Sequence, residues 1–235
     1  MPRKTTFESL LNEISLKHKE IESGSFDEKY EATKDIYKMV EKLYDKFVDI
    51  EVHAANNEQK PLTEKELGLP VKPMQTKKVT GVRQTADYHF YWKFKHEKYF
   101  RKLGMIVERK EVSDFHNTII NHHDRFNREI FRFLQDSSTL LMFIFIEGSR
   151  SEALTFVPPI KRYSGQQIKS MIAVKIGAIA SFEARGIHVC FLGSRASSAN
   201  AIKFYIKHFY IKNYYFVLKD ILISFPASRA PMKAG

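Results

Sequence analysis

The residues with chemistry to offer crowd the stretch Ala86–Asp114, which reads ADYHFYWKFKHEKYFRKLGMIVERKEVSD. Its strand-like run Met105–Lys110 ends in Glu108-Arg109-Lys110. Side chains alternate faces along a strand, so Glu108 and Lys110 share one face and Arg109 points to the other. A carboxylate and an ammonium together at the end of an apolar strand are costly to desolvate, and call for a partner, a metal or a substrate. Asp87 lies upstream at the end of another strand-like run and Asp114 lies beyond Lys110, so three carboxylates and a lysine can converge on one end of a sheet. Metal-assisted phosphodiester hydrolysis requires such a set. The cation neutralises the phosphate and activates a water, and magnesium usually takes one or two carboxylates, with waters and substrate filling its shell. Asp87 and Glu108 fit the ligand role for Mg2+ (or Mn2+). Lys110 fits beside the attacking water, where an ammonium favours hydroxide and stabilises the developing charge.

The composition supports a polyanionic partner. The 235 residues hold 38 Lys+Arg against 27 Asp+Glu, a net charge of +11. Nucleic acid is the first expectation and an anionic membrane surface the second. The single cysteine, Cys190, rules out an intramolecular disulfide framework and a cysteine-rich zinc site, and its apolar run Ile187–Leu192 reads as core. The charged, amphipathic start lacks the apolar stretch of a signal peptide, and Leu140–Ile146 is too short to span a membrane. The expected setting is cytoplasmic, at the nucleoid or otherwise associated with DNA.

The elements that must position the site follow from periodicity. Helical spacing over Thr5–Glu22 and Asp27–Phe47, broken at Gly24-Ser25, predicts a hairpin that packs on a domain or on a second copy of it. Val48–His53 reads as a strand, and the proline-bearing Ala54–Lys78 as a loop. Val79–Phe94 favours strand; His96–Leu103 reads as a helical turn ended by Gly104. Ser113–Leu134 reads as one long helix and Leu140–Ile146 as a strand buried on both faces. A helix over Gly165–Ala184, a stop at Gly186, a strand over Ile187–Leu192 and a helix from Ser197-Ser198 to Ile211 follow. Asn213–Phe225 fits a helix or a docked strand, and the tail after Pro226 reads as disordered. Strands alternating with helices argue an α/β fold. The division is 1–47 for the hairpin, 48–225 for the main domain and 226–235 for the tail.

Val107–Asp114 (V-E-R-K-x-x-x-D), preceded by Ala86-Asp87-Tyr88, resembles the nuclease domain of XPF-type structure-specific endonucleases, including archaeal Hef, within the PD-(D/E)xK superfamily. Asp124-Arg125-Phe126 resembles that family's G-R segment, and Ile146-Glu147-Gly148 its strand ending in a hydrophobic residue, Glu and Gly. The resemblance runs from about Val48 to Ile211. It implies a restriction-endonuclease-like central mixed sheet flanked by helices. It also implies catalysis by Asp87, Glu108 and Lys110, and metal binding by Asp87, Glu108 and Asp114. Arg109 and Arg125 become DNA-binding or site-building residues, and Glu58 and Glu147 accessory acids. Ala55-Asn56-Asn57-Glu58 stands where the family carries Asp-x-Arg-Glu and keeps only the Glu; Ala86 replaces a Gly; and the Asp87–Glu108 spacing is longer, around Lys93–Leu103. Nothing after Ile211 resembles the family's helix-hairpin-helix modules.

Further cations are candidate phosphate contacts: Lys161 and Arg162, Arg150, and the series Lys93, Lys95, Lys98, Arg101 and Lys102. Tyr88, Phe90, Tyr91, Trp92 and Phe94 could stack on bases, with core packing the better account of half of them. Gly193-Ser194 with Ser197-Ser198 fits an anion cradle or an ordinary helix cap. His116 reads as a surface residue. His122 and His123 are adjacent on a helix, too divergent to share an ion, and read as solvated or phosphate-facing. The expectation is a metal-dependent DNA endonuclease of DNA repair or recombination, acting as a homodimer on branched, flap or junction DNA. Its alternatives are a weak or inactive DNA-binding subunit and a Holliday-junction-resolvase-like enzyme.

Overall fold

The computed structural model describes residues 5–56, 58–74, 86–159 and 162–224. Expectations for the disordered tail, for Lys161 and for the first part of the Val79–Phe94 strand fall outside these residues. Two compact units hold the described residues. One takes them from Met1–Asp49, Lys93–Tyr99 and Ile206–Gly235, the other from Ile50–Trp92 and Phe100–Tyr205.

In the first unit, α1 (Phe7–Ser23) and α2 (Phe26–Phe47) form the expected hairpin. Thr6 and Ser25 cap them through capping boxes, each meeting orphan N–H groups at a helix start. Leu10, Leu11 and Ile14 of α1 face Ala32, Ile36, Val40 and Leu43 of α2 inside the hairpin. Leu16 of α1 and Tyr30 of α2, although at apolar positions of the helical spacing, are exposed. The unit also holds the end of α8 (Arg195–Lys212) and α9 (Tyr214–Ser224), so Asn213–Phe225 is helical and not a strand. Tyr210 packs on Tyr44 with ring centroids 5.3 Å apart, and Lys207 reaches Glu41 at 2.9 Å and Asp45 at 3.0 Å.

A six-stranded mixed sheet runs in the order β2-β1-β3-β4-β5-β6. Its strands are β1 (Val48–Ala54), β2 (Val71–Pro73), β3 (Tyr88–Phe94), β4 (Arg101–Glu111), β5 (Leu141–Glu147) and β6 (Ile187–Phe191). β3 and β4 are antiparallel, whereas β4, β5 and β6 run parallel. The long loop expected after β1 contains a short helix, α3 (Glu64–Leu67), and β2. β5 has the continuous burial of a central strand. One core layer packs Ile106, Ile144 and Ile146 against Phe115, Phe126 and Phe182 from α4 (Val112–Ile120), α5 (His123–Gln135) and α7 (Gly165–Glu183), with the short α6 (Arg150–Thr155) preceding α7. Gly148 follows β5, and a Cβ there would come within 2.3 Å of Val112 Cγ2, so a larger residue would require Val112 to move. Among the described residues no helix is long and apolar enough to cross a membrane.

Several local expectations are corrected. His96–Leu103 is a turn followed by strand, since β4 begins at Arg101. Gly104 ends no helix. It sits inside β4 at φ +81, beside a register shift in the β3–β4 pairing, where only glycine adopts the backbone without strain. Ser113–Leu134 is two helices, α4 and α5, split at Asn121-His122. The β-branched Thr118-Ile119-Ile120 followed by Asn weakens the helix there, and Asn121 Nδ2 turns back to Asn117 Oδ1 at 3.1 Å. α8 begins at Arg195, not Ser197, and Ser194 Oγ accepts the Ser197 N–H. His116 is buried on the Phe115–Ile119 face of α4, with Nδ1 3.0 Å from the Phe156 carbonyl oxygen. Tyr88, Phe90, Trp92 and Phe94 are all core residues.

His89 on β3 carries a consequence for pH. It is buried, Nε2 has no partner among the described residues, and burial together with the Lys102 charge lowers its pKa to about 4. The unfolded chain binds the proton near pH 6.5, so this stability is full above pH 6.5 and lost as pH falls towards 4. A difference of this size corresponds to about 3 kcal/mol. Urea unfolding from pH 7 to 4 is expected to show this loss, and His89→Leu to remove most of it. An equal acid sensitivity in both proteins would contradict the assignment.

Candidate active site

The antiparallel pairing of β3 with β4 explains how distant residues meet. Asp87 immediately precedes β3, rather than closing a strand, and the pairing of Tyr88 with Val107 sets it beside Glu108 at the end of β4. The Arg109 backbone N–H donates to Asp87 Oδ2 at 2.8 Å, fixing that carboxylate across the two strands. Lys110 Nζ donates to Glu108 Oε1 at 2.8 Å and lies 4.9 Å from the centre of the Phe126 ring. Glu108 and Lys110 therefore share a face, as strand alternation requires.

Arg109 points elsewhere. Its Nη2 donates to Glu58 Oε1 at 2.9 Å and to the Lys60 carbonyl at 2.6 Å. Its Nη1 lies 2.9 Å from Glu147 Oε1, close enough to pair charges but out of line for a hydrogen bond, which leaves both atoms buried without one. Burial opposes the guanidinium charge, and Glu147 and Glu58 outweigh it, so Arg109 is held firmly charged. Glu147 thus lies behind the site, as support for Arg109.

Asp87, Glu108, Lys110, Asp114, Arg109, Arg125 and Glu58 all line one cavity of about 650 Å³. Asp114 comes from the first turn of α4 and the exposed Arg125 from α5. Arg162 is exposed and does not line it, and Lys161 lies outside the described residues. His122 does line it, from the cap of α5. Lys102 is engaged internally, at 2.6 Å from Asp136 Oδ2.

The electrostatics are those of a carboxylate pair taken out of water. Burial, and then the charge of Glu108, push the pKa of Asp87 well above the carboxylate range, against the Arg109 N–H. Burial opposes the Lys110 charge, but Glu108, with Asp87 and Glu129, raises its pKa, so it remains an ammonium. A divalent cation would relieve the repulsion between Asp87 and Glu108, and two carboxylates with space for water suit magnesium. Asp87 and Glu108 therefore fit a metal. Among the described residues no three His, Cys, Asp or Glu side chains cluster as a ready-made metal site, so Asp114 is not gathered with them into a compact set.

Glu129, which sequence reasoning missed, also lines the cavity. Burial and the Glu108 charge raise its pKa, and its Oε1 is 3.5 Å from Arg125 Nε and 3.9 Å from Arg132 Nη2. Its signal was in reach: Glu129 stands one helical turn after Arg125, on the same face.

The family model described as ERCC4 domain matches residues 32–205. Among solved structures, XPF from Aeropyrum pernix is similar at 21% identity and a TM-score of 0.43, over 74% of this chain and 73% of that one. XPF from Aeropyrum pernix in complex with DNA is similar at 20% identity and a TM-score of 0.41, over 69% and 66%. No curated protein sequence matches.

Proposed function

This chain belongs to the ERCC4 domain family, and from that premise we propose that it is a divalent-metal-dependent DNA endonuclease acting on branched, flap or junction DNA. The observation that carries the reading is the single cavity in which Asp87, Glu108 and Lys110 meet. Asp87 and Glu108 would hold Mg2+ or Mn2+, which supplies charge neutralisation at the phosphate and an acidified water. The remaining work falls to the chain. Lys110 keeps its charge in a water-poor setting, where a fixed ammonium stabilises a phosphorane-like charge better than solvent does. Burial opposes its charged form, but Glu108 and Asp87 favour it, so the role assigned to Lys110 is electrostatic. The Arg109 backbone N–H orients Asp87, and the Arg109 side chain braces Glu58 and Glu147. Arg125 and the net positive charge favour a DNA backbone. Acting as a homodimer, two such cavities would face one branched substrate.

A second reading, an inactive DNA-binding subunit, has one specific support. The Ala55 N–H donates to the Asp87 carbonyl at 2.7 Å, so the backbone of Ala55 runs beside that of Asp87, and Ala55 stands where the XPF-type pattern has an acid. One experiment separates the readings. Purified protein is incubated with Mn2+ or Mg2+ and flap, splayed-arm, four-way-junction, single-stranded and duplex DNA, beside Glu108→Ala. Metal-dependent cleavage lost in Glu108→Ala supports the enzyme. Tight binding with no cleavage under any condition supports the subunit instead. Symmetric cutting confined to four-way junctions would place the enzyme among resolvases.

A further inference from the structure

One wall of the cavity is a strap, the connection from Glu58 to Leu62 between β1 and α3, and it is tied down from three directions. The Lys60 carbonyl accepts from Arg109 Nη2 at 2.6 Å and from Arg195 Nη1 at 2.7 Å. The Pro61 carbonyl accepts from Arg195 Nη2 at 2.8 Å, and the Leu62 N–H donates to Tyr88 Oη at 2.9 Å. Arg195 also forks onto Glu66, with Nε 2.6 Å from Oε1 and Nη2 2.9 Å from Oε2. A guanidinium spent on two backbone carbonyls and a two-pronged carboxylate contact is a fixed strut, not a mobile surface charge.

The backbone of the strap is rigid, but the Lys60 side chain is not committed. It is 69% exposed, lines the cavity, and its Nζ lies 3.1 Å from Glu111 Oε1, itself 46% exposed. An exposed pair of this kind contributes little to stability and gives way readily to a phosphate. We propose that Lys60 is a phosphate-binding residue of the cavity, parked on Glu111 until DNA arrives, and that Arg195 is the positioning residue that holds its strap in place. The proposal rests on the DNA reading above. It adds a cation that no motif marks, presented to the same cavity that Arg125 lines, and a support drawn from α8, far along the chain.

The test is DNA binding without cleavage, by fluorescence anisotropy of a labelled flap in EDTA across a salt series. Lys60→Ala is expected to weaken binding several-fold and to lower the salt slope by about one. Lys65→Ala, which removes an equal charge from nearby α3, is expected to keep the wild-type slope. Glu111→Gln is expected to tighten binding, because it releases Lys60. Arg195→Lys keeps the charge but not the fork. It should reproduce the slope loss of Lys60→Ala and add nothing to it in the double variant. If Lys60→Ala keeps the wild-type slope, or Lys65→Ala loses as much, the proposal falls while the DNA reading stands. If Arg195→Lys and Lys60→Ala weaken binding additively, the positioning role is wrong. If wild-type protein binds no DNA at all, the functional reading fails, and this proposal with it.

Discussion

Lys110→Ala is expected to slow metal-dependent DNA cleavage by about 10²-fold or more, the cost of deleting one pre-positioned electrostatic stabiliser, and to leave DNA affinity within a few-fold of wild type. The expectation comes from the place of Lys110. Its ammonium is mostly buried, bonded to Glu108 at 2.8 Å and close to the Asp87 charge. Deleting it does two things. It removes the fixed positive charge from the point where charge builds up, and it leaves the Asp87–Glu108 pair without its nearest counter-charge. The second effect favours metal binding, so a higher metal affinity together with a lower cleavage rate would be diagnostic. Exposed cations such as Arg125 remain to bind the backbone, which is why affinity is spared. Single-turnover rates at saturating protein separate the two quantities. A Lys110→Ala rate within threefold of wild type would mean that the cavity does its chemistry elsewhere, or not at all. Lys110→Arg is not a conservative control, because a planar fork cannot occupy the space between Glu108 and the Phe126 ring as a compact ammonium does.

What the sequence made legible, and what it did not, divides along physical lines. Alternation in a strand is a local rule, so the opposed faces of Glu108-Lys110 and Arg109 were readable from three letters. The apolar run of β5 was readable as well, since a strand covered on both faces has no room for a polar residue. The split between α4 and α5 was hidden, because the apolar period continues across Asn121-His122 and only the backbone preference of a β-branched run betrays the break. His116 and Gly104 were misread for the opposite reason. Each is decided by a distant partner, the Phe156 carbonyl for one and the β3–β4 register for the other. The supports of the site were the least legible of all. Arg195 and Lys60 meet only through the folded chain, and no spacing rule links them.

Arg109→Met is expected to be strongly destabilising, at about 3–5 kcal/mol, the range for breaking a buried ion pair by removing one partner. The guanidinium is 4% exposed and its two acidic neighbours, Glu58 and Glu147, are 12% and 9% exposed. Without it, two carboxylates with little access to water lose their shared counter-charge, and the Lys60 carbonyl loses one of its two donors. The loss is therefore mostly a penalty for the groups left behind, and that part is separable. Glu58→Gln and Glu147→Gln added to Arg109→Met should restore more than half of the lost stability, since neutral amides carry no Coulombic penalty and can bond to one another. Asp87 depends on the Arg109 backbone N–H and not on its side chain, so the triple variant keeps that contact and the Glu108–Lys110 pair. Urea unfolding of the wild-type, single and triple variants measures each step. A single variant as stable as wild type would show that the Glu58–Arg109–Glu147 arrangement carries no net stability. A triple variant no more stable than the single would show that the loss lies in packing around the missing guanidinium, since methionine fills the volume but cannot replace the bond to the strap.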